Sequence, residues 1–113
     1  MAYNPHTASR VRDYLEKFPN ILIEEKKMFG GLAFMVNGKM CVNVSGDNLM
    51  CRFDPDRREE LSHKTGYQKM IMRGREYEGY CYVNPDGYEH DKDFKFWVDL
   101  CLDFNDTAKS SKK

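Results

Sequence analysis

Cysteine and histidine are the side chains of this sequence best suited to nucleophilic or metal chemistry, and their spacing suits neither. A structural zinc site needs Cys or His pairs a few residues apart, so that one loop presents two ligands at once. Here the cysteines stand at 41, 51, 81 and 101, and the histidines at 6, 63 and 90. A couple such as Cys81 with His90 has no recognisable nucleophile turn and no third group to orient the imidazole. No Gly-x-Ser-x-Gly elbow is present. The sequence therefore predicts no catalytic, cofactor-binding or metal-binding residues. In a chain that reads as cytosolic, the four thiols are expected to be reduced and to behave as small apolar side chains.

The other candidate for chemistry is Lys27-Met28-Phe29-Gly30-Gly31, whose glycine pair invites comparison with a phosphate-cradling loop. A dinucleotide fingerprint needs a third glycine and a helix that begins there, and a P-loop needs Gly-Lys-Ser/Thr. Neither follows. An apolar run, Leu32 to Val36, and an Asn37-Gly38 turn come next. The glycine pair is expected to be a bulge or tight bend that needs positive φ or close backbone approach.

Acidic and basic residues number eighteen each, which argues against a chain built to coat nucleic acid or anionic membrane. The balance is uneven along the chain. Lys64, Lys69, Arg73 and Arg75 against Glu76 make one segment basic, whereas residues 86–106 are strongly acidic. Tyr67, Tyr77, Tyr80, Tyr82 and Tyr88 concentrate aromatic weight around the same basic segment. Tyr80 and Tyr82 fall on one face of a strand and Cys81 and Val83 on the other. Core packing is the first expectation for these tyrosines. A partner surface built from Tyr67, Arg73, Arg75, Tyr80 and Tyr82 is the alternative. Met28, Met35, Met50, Met70 and Met72 are expected as gap-filling core residues.

These residues are positioned by readable elements. Asn4-Pro5 marks a helix start, followed by the apolar stripe Val11, Tyr14, Leu15 and Phe18. Four strands are expected from Ile21 to Phe53, turning at Asn37-Gly38 and Gly46-Asp47. A two-residue second turn sets Val42 opposite Cys51 and Val44 opposite Leu49. At the first turn, burial favours a three-residue loop that pairs Phe34 with Val42 and puts Met40 on the face of Val42 and Val44, although Asn-Gly favours a two-residue loop. Asp54-Pro55 starts a second helix ending near Gly66. Two strands, Tyr67 to Arg73 and Tyr77 to Asn84, turn around Gly74-Arg75, and Pro85-Asp86-Gly87 is a turn. A last helix runs from Asp91 to Asn105 with Phe94, Trp97, Val98, Cys101 and Phe104 on one face. The fold class is α+β, an antiparallel sheet with the order α-β-β-β-β-α-β-β-α and helices covering it. Residues 1–105 form one domain and residues 106–113 a disordered polar tail. Apolar runs are too short to span a bilayer, and no signal peptide is readable at the N-terminus.

The run Lys27 to Met40, with its glycine pair between two apolar stretches and its Asn-Gly turn, resembles the signature of the TfoX/Sxy N-terminal domain family of bacterial competence regulators. Arg10 to Phe18 and Gly79 to Pro85 extend the resemblance over roughly residues 2–105. The resemblance implies a fold similar to the secretion chaperones and the small YjbR-like domains. It also implies that Lys27, Met28, Phe29, Gly30, Gly31 and Gly38 are structural. Longer members are regulators of natural transformation genes that act with a transcription factor and carry a second, C-terminal domain, whereas this chain stops at the end of the first. The expected function is a non-enzymatic, cytoplasmic regulatory or adaptor domain that binds another protein or a second copy of itself. One alternative is a small-molecule pocket between the tyrosine-rich hairpin and the Gly30-Gly31 bend. Another is weak nucleic-acid binding through Lys64, Lys69, Arg73 and Arg75.

Overall fold

A computed structural model describes residues 3–106, the side chain of Met72 excepted. The expected tail, residues 106–113, therefore lies outside the described residues from position 107 onward, as does the core role expected of Met72. Helix α1 spans Pro5–Leu15, and the Asn4 side chain caps it by accepting from the backbone N–H groups of His6 and Thr7. Ala8, Val11 and Leu15 are its buried apolar stripe, while Phe18 lies past the helix end, half-buried.

Six strands follow: β1 Ile23–Met28, β2 Gly31–Val36, β3 Lys39–Ser45, β4 Asn48–Arg52, β5 Tyr67–Met72 and β6 Arg75–Val83. They form one antiparallel sheet in the order β1-β2-β3-β4-β6-β5. Between β4 and β5 the chain makes a 3₁₀ turn, Pro55–Arg57, capped by Asp54, and a single helical turn, α2, Arg58–Leu61. Where a simple turn is expected after β6, Pro85–Tyr88 forms another helical turn, α3. Helix α4 occupies Asp91–Asn105, as its apolar period predicts.

Three hairpin turns share one geometry. Phe29-Gly30, Asn37-Gly38 and Arg73-Gly74 each have positive φ at both residues, the mark of the two-residue turn whose twist matches paired strands. The last hairpin thus turns one residue earlier than Gly74-Arg75. The β2–β3 connection resolves the conflict between burial and turn chemistry. Val36 pairs with Lys39 across the two-residue turn, yet Phe34 pairs with Val42, because the register shifts between Phe34 and Met35. Cys41 is the extra residue of that bulge. No three-residue loop is needed, and Met40 faces away from Val42 and Val44. The second turn sets Val42 opposite Cys51 and Val44 opposite Leu49, as expected.

The two sheet faces carry separate cores. On one, Leu32, Phe34, Val36, Val42, Val44, Leu49, Cys81 and Val83 pack against the apolar sides of α1 and α4, including the fully buried Trp97. On the other, Ala33, Met35, Met40, Met50 and Met70 form a methionine cluster flanked by Met28, Tyr80 and Tyr82. All the helical residues in the two cores belong to the first. Flexible thioethers suit the second, where no helix dictates a shape to be matched. The acidic α4 has no basic residue in its last turn. Lys39 supplies the missing charge, donating to the carbonyls of Asn105 and Asp106 at 3.0 and 3.3 Å, where the helix dipole favours a cation.

Candidate functional site

The glycine pair divides two tasks. Gly30, at φ +72°, completes the β1–β2 turn with open space around it, while Gly31 lies against β3. A Cβ on Gly31 would fall 2.1 Å from the Val44 carbonyl oxygen and 2.7 Å from Asn43 Oδ1. Asn43, fully buried, donates its amide to the Met28 carbonyl at 3.0 Å and so fastens this turn to the sheet. The signal for Asn43 was present in the sequence as the single polar residue in Met40 to Val44. Lys27 and Phe29 are exposed, Met28 is half-buried, and Gly38 sits in the next turn. These positions hold a hairpin together and converge on no cleft.

The four cysteines, scattered in sequence, are gathered by the fold. All are buried in the helix-side core, where Cys51 pairs with Cys81 across β4 and β6, and Cys101 approaches from α4. Hydrogen bonding with Cys101 and Cys81, and then burial, pushes the Cys51 thiol well up; burial and then Cys101 do the same to Cys41. A raised, shielded thiol is a poor nucleophile. The exposed His90 at the start of α4 cannot form a dyad with the core residue Cys81. Among the described residues, no group of three His, Cys, Asp or Glu is placed to hold a metal ion.

The residues expected to form one partner surface are split by the sheet. Tyr67 is half-buried on the helix side, its hydroxyl without a hydrogen-bond partner among the described residues, and burial raises its pKa first of all causes. Tyr82 and Tyr80 flank the methionine cluster on the opposite face. Arg73 and Arg75 are exposed at the hairpin tip. What remains together is the distal half of the β5–β6 hairpin. Register runs from Lys69 opposite Cys81 to Ile71 opposite Glu76, so residues 77–80 bulge around Met70. Gly79, at φ +87°, makes the bend, and its carbonyl accepts from Phe53 N–H at 2.8 Å. Pairing with β4 stops at Tyr80. Beyond it the hairpin stands on its own two strands.

An open cleft of about 840 Å³ runs along this projection, lined by Arg73, Arg75, Glu76, Tyr77, Glu78 and Tyr80. Tyr77 and Tyr80 lie 5.3 Å apart between ring centres. Ile71 on β5 and Tyr77 on β6 are 53% and 44% exposed, the most accessible large apolar side chains among those described on the two strands. Arg58 ties the hairpin to α2 through Glu76 at 3.0 Å. The glycine pair contributes nothing to the cleft, because β1–β2 forms one edge of the sheet and β5 the other. The pocket expected between hairpin and glycine bend is thus not formed. The basic residues expected to hold phosphate are also interrupted. Glu76 and Glu78 share the cleft with Arg73 and Arg75, and Lys64 lies over the Phe96 ring at 4.2 Å.

The outer edges differ in the same sense. On β1, Glu24, Glu25, Lys26 and Lys27 are all exposed, a charged guard against strand addition. On β5 the corresponding guard is Lys69 alone, with Ile71 beside it. Among the described residues, no helix is long and apolar enough to cross a membrane. No curated protein and no solved structure matches the chain. The model of the TfoX N-terminal domain matches residues 13–105, a span running from within α1 through the glycine-pair hairpin to the end of α4, and the chain therefore belongs to the TfoX N-terminal domain family.

Proposed function

We propose that this chain is a regulatory or adaptor domain of the cytoplasm that acts by binding protein, through the β5 edge and the projecting end of the β5–β6 hairpin. Membership of a regulatory, competence-related family supports the first half of this reading. The observation that carries the second is the contrast between the two sheet edges. One is guarded by four consecutive charges; the other, β5, exposes Ile71, and the β6 strand of the same hairpin presents Tyr77 in an open, mixed-charge cleft. An unguarded edge with exposed aromatic and aliphatic anchors is the surface chemistry of strand addition and of protein interfaces.

The test is purification of the tagged chain from its host at physiological salt with nuclease present, beside an Ile71→Ser/Tyr77→Ser variant. A stoichiometric protein retained by the native chain and lost with the variant supports the reading. Recovery of the same proteins by both forms, or of none, refutes the assignment to this hairpin.

A further inference from the structure

Charge along the projecting hairpin is ordered. The tip carries Arg73 and Arg75, and the strand leading back to the sheet carries Glu76 and Glu78 in the same cleft. Glu76 is engaged by Arg58, whereas Arg73, Arg75 and Glu78 are exposed and make no ion pair among the described residues. A surface with a positive end, a negative end and an exposed aromatic side chain, Tyr77, between them is complementary to itself when turned through a two-fold axis. The two tips then lie against the opposite bases, and Tyr77 of each copy meets its mate near the axis. The wall of charges on β1 makes the other edge unsuited to the same pairing.

We propose that the occupant of this hairpin surface is a second copy of the chain, and that the domain is an isologous dimer with Arg73 and Arg75 of each copy facing Glu78 of its mate. This rests on the reading of the hairpin as a protein-binding surface and names the partner. Strand-edge or hairpin pairing of this kind leaves the helix-side core and the methionine cluster undisturbed.

The experiment is sedimentation velocity from 1 to 200 μM (concentrations of the assay) on the native chain, on Arg75→Glu, on Glu78→Lys and on their equimolar mixture. All changed residues are exposed, and circular dichroism melting verifies each fold. The native chain is expected to dimerise, and each single variant to do so at least tenfold more weakly. The mixture should recover the native affinity to within a few-fold, because each tip then meets an opposite charge. Raising salt should weaken the native dimer. A monomer at every concentration overturns the proposal, as does a dimer indifferent to both reversals or a mixture that fails to recover. Retention of a different protein by a monomeric native chain leaves the hairpin as a binding surface and overturns the second copy as its occupant.

Discussion

Replacing Gly31 by alanine should damage this fold far more than replacing Gly30, although both belong to the same short motif. The structural reason differs between them. Gly30 has positive φ and a Cβ there would meet nothing within 4 Å, so alanine meets only the left-handed backbone penalty, about 1–2 kcal/mol. Gly31 has an ordinary φ and no room. Its Cβ would stand 2.1 Å from the Val44 carbonyl oxygen, where ordinary contact begins at 3.4 Å. That oxygen belongs to the β3 backbone, opposite Leu32 in the ladder, and cannot rotate away. Overpacking that flexible side chains can absorb costs roughly 1–3 kcal/mol, so a clash with ladder backbone should cost at least about 3 kcal/mol. For a domain of this size that is a fall in Tm on the order of 10–20 °C.

Urea unfolding, followed by circular dichroism and by the emission of buried Trp97, measures both substitutions on one scale. Trp97 donates its indole N–H to the Gly87 carbonyl at 3.1 Å, so its signal reports the helix-side core. Asn43→Ala is the informative companion. It removes the bond to Met28 and should cost about 1–3 kcal/mol, but it should not rescue Gly31→Ala, because the Val44 oxygen remains. Gly31→Ala within about 1 kcal/mol of the native chain would refute the close-approach account, since that is the range of an unremarkable substitution. Rescue by Asn43→Ala would show that the side chain, not the backbone, is the obstacle.

Three further outcomes are expected. The four buried thiols should react with an aromatic disulfide reagent only as fast as the domain opens, and all four should react at once in denaturant; rapid labelling of any in the native state would contradict their placement. The Tyr14 phenol, pushed up to about 12 by burial and by its 2.7 Å bond to Asp99, should ionise after ordinary tyrosines in an ultraviolet titration. Its folded value lies above its unfolded one, so its contribution is complete below about pH 10 and is lost as pH rises towards 12, a slope that Tyr14→Phe should remove. Arg12 holds the Glu25 carboxylate below its usual range through a 2.6 Å bond. That contribution is present above the unfolded pKa and lost as pH falls, and at one-third exposure a double-mutant cycle should find no more than about 1 kcal/mol.

Local chemistry was readable where one short segment determines the outcome. Asn4 and Pro5 dictate the start of α1, and the apolar period of Asp91–Asn105 dictates α4, so both were legible. The β2–β3 register was half legible. Burial demanded Phe34 opposite Val42 and Asn37-Gly38 demanded a two-residue turn, but only the bulge at Cys41 satisfies both, and nothing in the sequence announces it. The turns at Phe29-Gly30 and Arg73-Gly74 were displaced by one residue because phenylalanine and arginine are unusual at positive φ. Separation of Tyr67 from Tyr80 and Tyr82 follows from the β5–β6 register, whereas convergence of Cys51 on Cys81 and placement of the two hairpins at opposite edges depend on β6 pairing with β4. That crossover places β5 outside β6 and is a long-range choice with no local signature.

The motif that identifies the family and the surface proposed to bind protein lie at opposite edges of one sheet, for a physical reason. Gly31 and Asn43 fix a backbone contact that any side chain would break, so they specify the architecture and say nothing of a partner. The β5–β6 tip makes few demands of that kind. Beyond Gly79 it pairs with no third strand, and Arg73, Arg75, Tyr77 and Glu78 are exposed. Residues there can change without cost to either core, which leaves them open to selection by whatever they touch. A chain that keeps the glycine-pair hairpin and alters the charge order of this tip should retain the fold and lose the partner. Transplanting Arg73 to Glu78 onto another member of the family should carry the partner preference with it, without changing thermal stability by more than a few degrees.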